Sequence, residues 1–151
     1  MNKILLSFAI ATASAVSTYA QKFEYKIITS VESIIPAGLG RSRLIENAET
    51  VNTADLTTYR TNGKDSKQGA IRRKDAKIDE LGETKLLNFF GIAGINFQNI
   101  ASNDAIVQSR LNELSEEGWE LGFVVSGVES DSGTGDGQGI FVTRYIFKRQ
   151  K

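Results

Sequence analysis

Two arginines, Arg41 and Arg43, follow Gly38-Leu-Gly40. On a strand, residues two apart share a face. Two guanidinium groups beside a glycine turn can clamp a phosphate or carboxylate, since each offers a planar fork of donors. A solvated strand face is the plainer reading. Glu113, Glu116, Glu117 and Glu120 form a second cluster. Glycoside hydrolysis needs only two carboxylates, one with a raised pKa, but three of these four fall on an exposed helix face with nothing to bury them. Asp131 and Asp136, in the glycine-rich run from Glu129 to Gly139, are candidate calcium ligands, although their spacing misses the EF-hand pattern. The chain has no His and no Cys. That removes Ser-His-Asp and Cys-His catalysis, thiolate chemistry and nearly every structural zinc site. Ser-x-x-Lys occurs nowhere. The alternating glycines 133, 135, 137 and 139 do not match a dinucleotide or P-loop fingerprint. No cofactor and no metal are expected.

These residues hang on one turn. Val107, Leu111 and Leu114 form a helical stripe, with Arg110, Glu113, Glu116 and Glu117 on the other faces. Gly118 then falls at the C′ position, where a left-handed backbone is common and glycine adopts it without steric penalty. This numbering makes Leu114 the C3 and Trp119 the C″ residue, two positions that touch in a Schellman ending. Leu114, Gly118 and Trp119 are therefore assigned a structural role. Trp119 should open a buried strand on which Leu121, Phe123 and Val125 share its face and Glu120, Gly122, Val124 and Ser126 oppose it.

The other elements follow from pattern. Phe23 to Val31 alternates as a strand, with Phe23, Tyr25, Ile27, Thr29 and Val31 on one face and Glu24, Lys26, Ile28 and Ser30 on the other. Pro36 to Gly40 is turn chemistry, after which Arg41 to Ile45 can pair back on the first strand. Residues 46–80 read as a polar insertion. It holds seven basic residues between Arg60 and Lys77 against Asp65 and Asp75, with no interleaved aromatics to stack on bases. Glu83 to Ala93 is expected to be a second, shorter helix through Leu86, Leu87 and Phe90. Ile95, Phe97 and Ile100 are expected as core contacts, and Ser102-Asn-Asp as the N-cap of the main helix. Ile140 to Arg149 alternates as a final strand, pairing with 119–128 in a hairpin. The expected fold class is α+β: a small antiparallel sheet, one main helix packed on it and a second shorter one.

The N-terminus points to a compartment. Met-Asn-Lys is followed by an uncharged run from Ile4 to Val16 and then Ser17-Thr-Tyr-Ala20. This is the pattern of a secretory signal peptide, too short to span a bilayer. Cleavage is expected after Ala20, leaving one domain over 21–151. A secreted chain without cysteine fits a bacterial periplasm or medium, and no transmembrane segment is expected. The formal net charge of zero gives no whole-molecule attraction to nucleic acid or an anionic membrane.

Three pieces together, Glu24-Tyr-Lys-Ile-Ile28, Leu111-Asn-Glu-Leu-x-x-x-Gly-Trp-Glu-Leu121 and Tyr145-Ile-Phe-Lys-Arg149, resemble the small bacterial domain-of-unknown-function family 4177. Its members share a Tyr-Lys strand, a helix ending in Gly-Trp-Glu and a closing strand ending in Lys-Arg. The long stretch from Val31 to Ser102 departs from the family, whose members join strand to helix more directly. The resemblance implies a small α+β fold and supplies no activity. The expected function is a secreted or periplasmic, non-catalytic binding module, with an envelope protein or an anionic ligand as partner and nucleic acid excluded. The alternative is a carboxylate-based hydrolase acting on envelope glycan.

Overall fold

A computed structural model describes residues 21–35, 41–64, 66–129 and 139–151. Residues 1–20, expected to be a signal peptide, residues 36–40, expected to be a turn, and the glycine-rich run with Asp131 and Asp136 lie outside these residues. Among the described residues there are seven strands and one long helix. They are β1 (Phe23–Ser33), β2 (Arg43–Asn47), β3 (Leu81–Lys85), β4 (Phe90–Gly91), β5 (Gly94–Ile95), α1 (Phe97–Glu116), β6 (Glu120–Glu129) and β7 (Ile140–Gln150). Strands β3-β2-β1-β7-β6 form one antiparallel sheet in that order, and β4 and β5 form a separate small hairpin. The fold is α+β with one main helix, and the chain has no cysteine. Among the described residues, no helix is long and apolar enough to cross a membrane.

The helix ends as the sequence indicates. Gly118 has φ +85°, the Trp119 N–H donates to the Leu114 carbonyl at 2.9 Å, and the Gly118 N–H donates to the Ser115 carbonyl at 3.0 Å. This is the paired bonding of a Schellman motif. It turns the chain so that Leu114 and Trp119 both enter the core with Ile28, Leu44, Leu86 and Phe147. Ile106, Val107 and Leu111 of α1 and Tyr145 of β7 pack around them.

Four expectations are corrected. Residues 83–93 are not a helix: Glu83 to Lys85 belong to β3, opposite Ile45, Leu44 and Arg43, and the chain then makes the β4–β5 hairpin. Pairing at the open edge of β2 overrides local helix propensity there. Helix α1 starts at Phe97, with Asn96 as N-cap accepting from the Asn99 N–H at 3.1 Å. Asn103 instead sits inside the helix, buried. Its amide accepts from the Leu87 N–H at 2.8 Å and donates to the Leu87 carbonyl at 2.7 Å. Ile95 and Phe97 are exposed rather than core.

The fourth correction concerns β6. A bulge between Leu121 and Phe123 shifts its register against β7. Leu121 lies opposite Phe147, on the face toward α1, whereas Phe123 lies opposite Ile146, on the other face. The two residues therefore do not share a side, because an extra residue in one strand resets the alternation. Nor is the strand buried, since every residue of β6 is exposed.

Among the described residues, the sheet is covered on one face only. Lys26, Ile28, Ser30 and Glu32 of β1 lie opposite Phe147, Tyr145, Thr143 and Phe141 of β7 on the helix side. The other face carries Phe23, Tyr25, Ile27 and Val31 with Ile146 and Val142. The more apolar stripe of β1 thus points away from α1. Residues 48–80 form the insertion, with 3-10 turns at Thr53–Leu56, Lys67–Ala70 and Arg73–Ala76 that bury no residue. It is closed at its base, where the Ala48 N–H donates to the Glu80 carbonyl at 3.2 Å and Glu49 Oε1 accepts from the Glu80 N–H.

Candidate functional site

Strand β2 leaves the sheet after Asn47, so the first residues of β1 have a neighbour only on the β7 side. The notch is a cleft of about 550 Å³ lined by Tyr25, Lys26, Ile27, Glu46, Glu49, Gly82 and Trp119, with parts of the 47–50 segment. Glu46 is its electrostatic centre. Its carboxylate meets Lys26 Nζ at 2.7 Å and Arg110 Nη2 at 2.9 Å, so a helix arginine and a β1 lysine grip the same β2 side chain. Burial pushes the Glu46 carboxyl up, but the hydrogen bonds and charges of Lys26 and Arg110 outweigh it and hold the group below the usual carboxylate value. Arg110 also reaches Glu113 at 2.8 Å and Glu117 at 3.5 Å.

Trp119 forms the inner wall. Arg149 stacks over its ring at 4.3 Å and Lys26 stands 5.5 Å from the ring centroid. Such cations are drawn to the ring face by its quadrupole. Arg149 also bonds Glu24 at 2.8 Å and donates to the Glu117 carbonyl at 3.0 Å, closing the helix end from outside.

The carboxylates available here suit binding better than acid catalysis. Glu46 is an ionised, doubly paired group with no proton to give near neutrality. Glu49 is turned to the Glu80 backbone. The carboxyl that is raised is Glu32, elsewhere on the helix side. Burial raises it, a 2.8 Å bond from Asn103 opposes the shift, and the Asp104 charge adds to it. Burial likewise raises the Tyr145 hydroxyl. Glu113 and Glu117 are engaged by Arg110, and Glu120 stands 3.5 Å from Lys148.

A second candidate is strand β6 itself. It is an edge strand, with β7 on one side and no strand on the other among the described residues. Its sequence is largely apolar, yet Phe123 is 66% exposed, Val128 62%, Val125 55% and Val124 52%. On the face away from α1, Phe123 continues a row with Ile146 and Ile27, and Val125 a row with Arg144 and Thr29. Composition alone does not reveal this site. The unbroken run Leu121-Gly-Phe-Val-Val-Ser-Gly-Val128 is the available signal, because strands that read this way are usually buried on both faces.

Arg43 opens β2 on the face away from α1, opposite Val31, and its Nη1 donates to the Ser42 carbonyl at 2.8 Å. Arg41 precedes the strand and is exposed. Neither arginine lines the cleft. The structure brings Leu114, Gly118 and Trp119 together as the turn requires. The chain matches no family model, no curated protein and no solved structure.

Proposed function

We propose that this chain is a secreted or periplasmic, non-catalytic binding module that takes an extended segment of a protein partner along the free edge of β6. The carrying observation is that β6 is apolar, exposed on both faces and, among the described residues, bare on one backbone edge. A sheet edge of this kind recruits a further strand: main-chain hydrogen bonds supply affinity, and alternate side chains supply selectivity. The bulge at Leu121/Phe123 restricts regular pairing to the seven residues from Phe123 to Glu129. Export rests on the leader pattern of residues 1–20, and membership of family 4177 on the Tyr-Lys, Gly-Trp-Glu and Lys-Arg pieces. The glycan-hydrolase alternative has less support, because the cleft carboxylate Glu46 is held ionised by two cations.

The test is a display library of ten-residue peptides selected on the protein, with each binder mapped by amide chemical-shift changes. Binders should shift the amides of residues 123–129, and Val128→Lys should weaken them at least tenfold. Binders that leave those amides unmoved would overturn the reading. Export is checked separately by mass spectrometry of protein from the native host, which should begin at Gln21.

A further inference from the structure

We infer that the sheet face turned away from α1 is the contact surface between two copies of this chain, packed face to face as a symmetric dimer. Three observations carry this beyond the strand-addition reading, on which it does not depend. The first is continuity. Ile27, Ile146 and Phe123 are register neighbours across β1, β7 and β6, and Val31 and Val142 repeat the pattern further along. Tyr25, Ile27, Phe123 and Val125 remain open to solvent. An apolar surface that spans three adjacent strands exceeds the singly scattered exposed residues of ordinary monomers.

The second observation is area. Three strands of ten or eleven residues and two of five make up the sheet. With strands about 4.8 Å apart and a rise of about 3.3 Å per residue, its face covers roughly 600 Å² in projection. Specific interfaces take about 600–1,000 Å² from each partner. Two such faces can pack about 10 Å apart with their strands rotated by about 30°, as in a sandwich.

The third observation is charge, and it selects a second copy over a strongly charged partner. Arg43, Lys85, Arg144 and Lys148 share this face with Glu83, Glu120 and Glu129, by the register of β2, β3, β6 and β7. Both signs are present, and the whole chain has a formal net charge of zero. Four cations against three anions leave the face within one charge of neutral, so two copies meet with little net repulsion. A symmetric contact needs a self-complementary patch, and an apolar row flanked by both signs is one. Arg144 stands two residues from Ile146 along β7, so a two-fold axis over the Ile27–Ile146 pair leaves the two guanidinium groups off the axis.

Sedimentation velocity on the chain as its own host produces it tests this across a concentration series. The expected result is a concentration-dependent dimer. Ile27→Lys and Val125→Lys, two independent changes on the bare face, should each weaken association at least tenfold while the far-UV circular dichroism stays that of the parent. Val128→Lys, on the α1 side of the same edge strand, should leave the dimer intact. It should weaken peptide capture, whereas Phe23→Lys, on the bare face but outside the cleft, should weaken the dimer and leave peptide capture unchanged, so the two readings fail separately. A parent that stays monomeric at 100-fold above typical assay concentration overturns the dimer. So does a dimer broken by Val128→Lys and untouched by the two bare-face changes, since that pattern means edge-to-edge pairing.

Discussion

On the face that α1 covers, the sheet offers Glu24, Lys26, Ser30 and Glu32 along β1, with Ile28 as the one large apolar side chain. On the bare face the same strand offers Phe23, Tyr25, Ile27 and Val31. Hydrophobic content alone would have put the helix on the other side. The core is set instead by residues that arrive from elsewhere: Leu114 and Trp119 from the helix turn, Leu44 from β2, and Leu86 from the segment after β3. They close around Ile28 and Phe147. The charges left on that side are absorbed in pairs, Lys26 and Arg110 on Glu46 and Arg149 on Glu24. A face can thus be buried for what packs on it, while its more apolar opposite stays open to solvent.

Substitutions on the two faces should therefore behave differently. The largest loss is expected at Trp119→Ala, about 3–5 kcal/mol, the usual range for a large aromatic removed from a core. It also removes the ring under Arg149 and Lys26. Urea unfolding measures it, and a variant as stable as the parent would mean that Trp119 is not a core residue. Gly118→Val comes next, at about 1 kcal/mol or more, because φ is +85° there and β-branching worsens a positive φ. Gly118→Ala should lose less. A Cβ at this position meets only Arg149 Cδ, at an ordinary 3.6 Å, so the loss reports backbone strain rather than a clash.

Two carboxylates on the covered face should then respond to pH in opposite senses. Glu46 is depressed in the fold, so its stabilisation is present above the unfolded value near 4.5 and is lost as pH falls through the lower folded value. Glu32 is raised, so its contribution is present below 4.5 and is lost as pH rises through the higher folded value. Thermal melts should show Glu46→Gln less stable than the parent at pH 7, with the gap closing in acid. Glu32→Gln should be no less stable than the parent at pH 7. The smallest effect belongs to the bare face. Phe123→Thr should change unfolding of the dissociated chain by no more than about 0.5 kcal/mol, as for exposed sites away from special features. The anion clamp expected at Arg41 and Arg43 belongs with these small effects. Each alanine variant should leave the melting temperature unchanged, and phosphate titration of the double variant decides whether the pair binds an anion at all.

What the sequence made legible was local. Gly118 and Trp119 could be placed because a Schellman ending is decided within six residues, and the β6–β7 hairpin because both strands alternate. The pairing of β2 with β1 followed from proximity along the chain. What was not legible depended on distant partners. Alternation in β1 defines two faces without saying which one receives the helix, and that choice rests on Leu44, Leu86 and Trp119. Leu86 and Phe90 suggested a helix, but the open edge of β2 took the residues just before them into a sheet. The bulge at Leu121/Phe123 reversed half of β6 through a single extra residue at Gly122, which alternation read in isolation passes over. The cleft around Glu46 escaped notice because Lys26, Glu46 and Arg110 are far apart in sequence and individually ordinary.

The two strands at the middle of the sheet, β1 and β7, are the first and last of the seven among the described residues. Their pairing runs from Phe23 with Gln150 to Ser33 with Ile140, the longest separation along the chain that any strand pair here bridges. A nascent chain cannot form this pair until β7 has been synthesised, and contacts so distant slow folding because a long loop must close before they are rewarded. Until then β1, β2 and β3 can at most make a meander without its central neighbour, and the turn at Gly118 has no Phe147 to pack against. The order of the strands therefore acts as a timer, placing closure of the middle of the sheet after β7 has been made, later than any pairing among β1, β2 and β3.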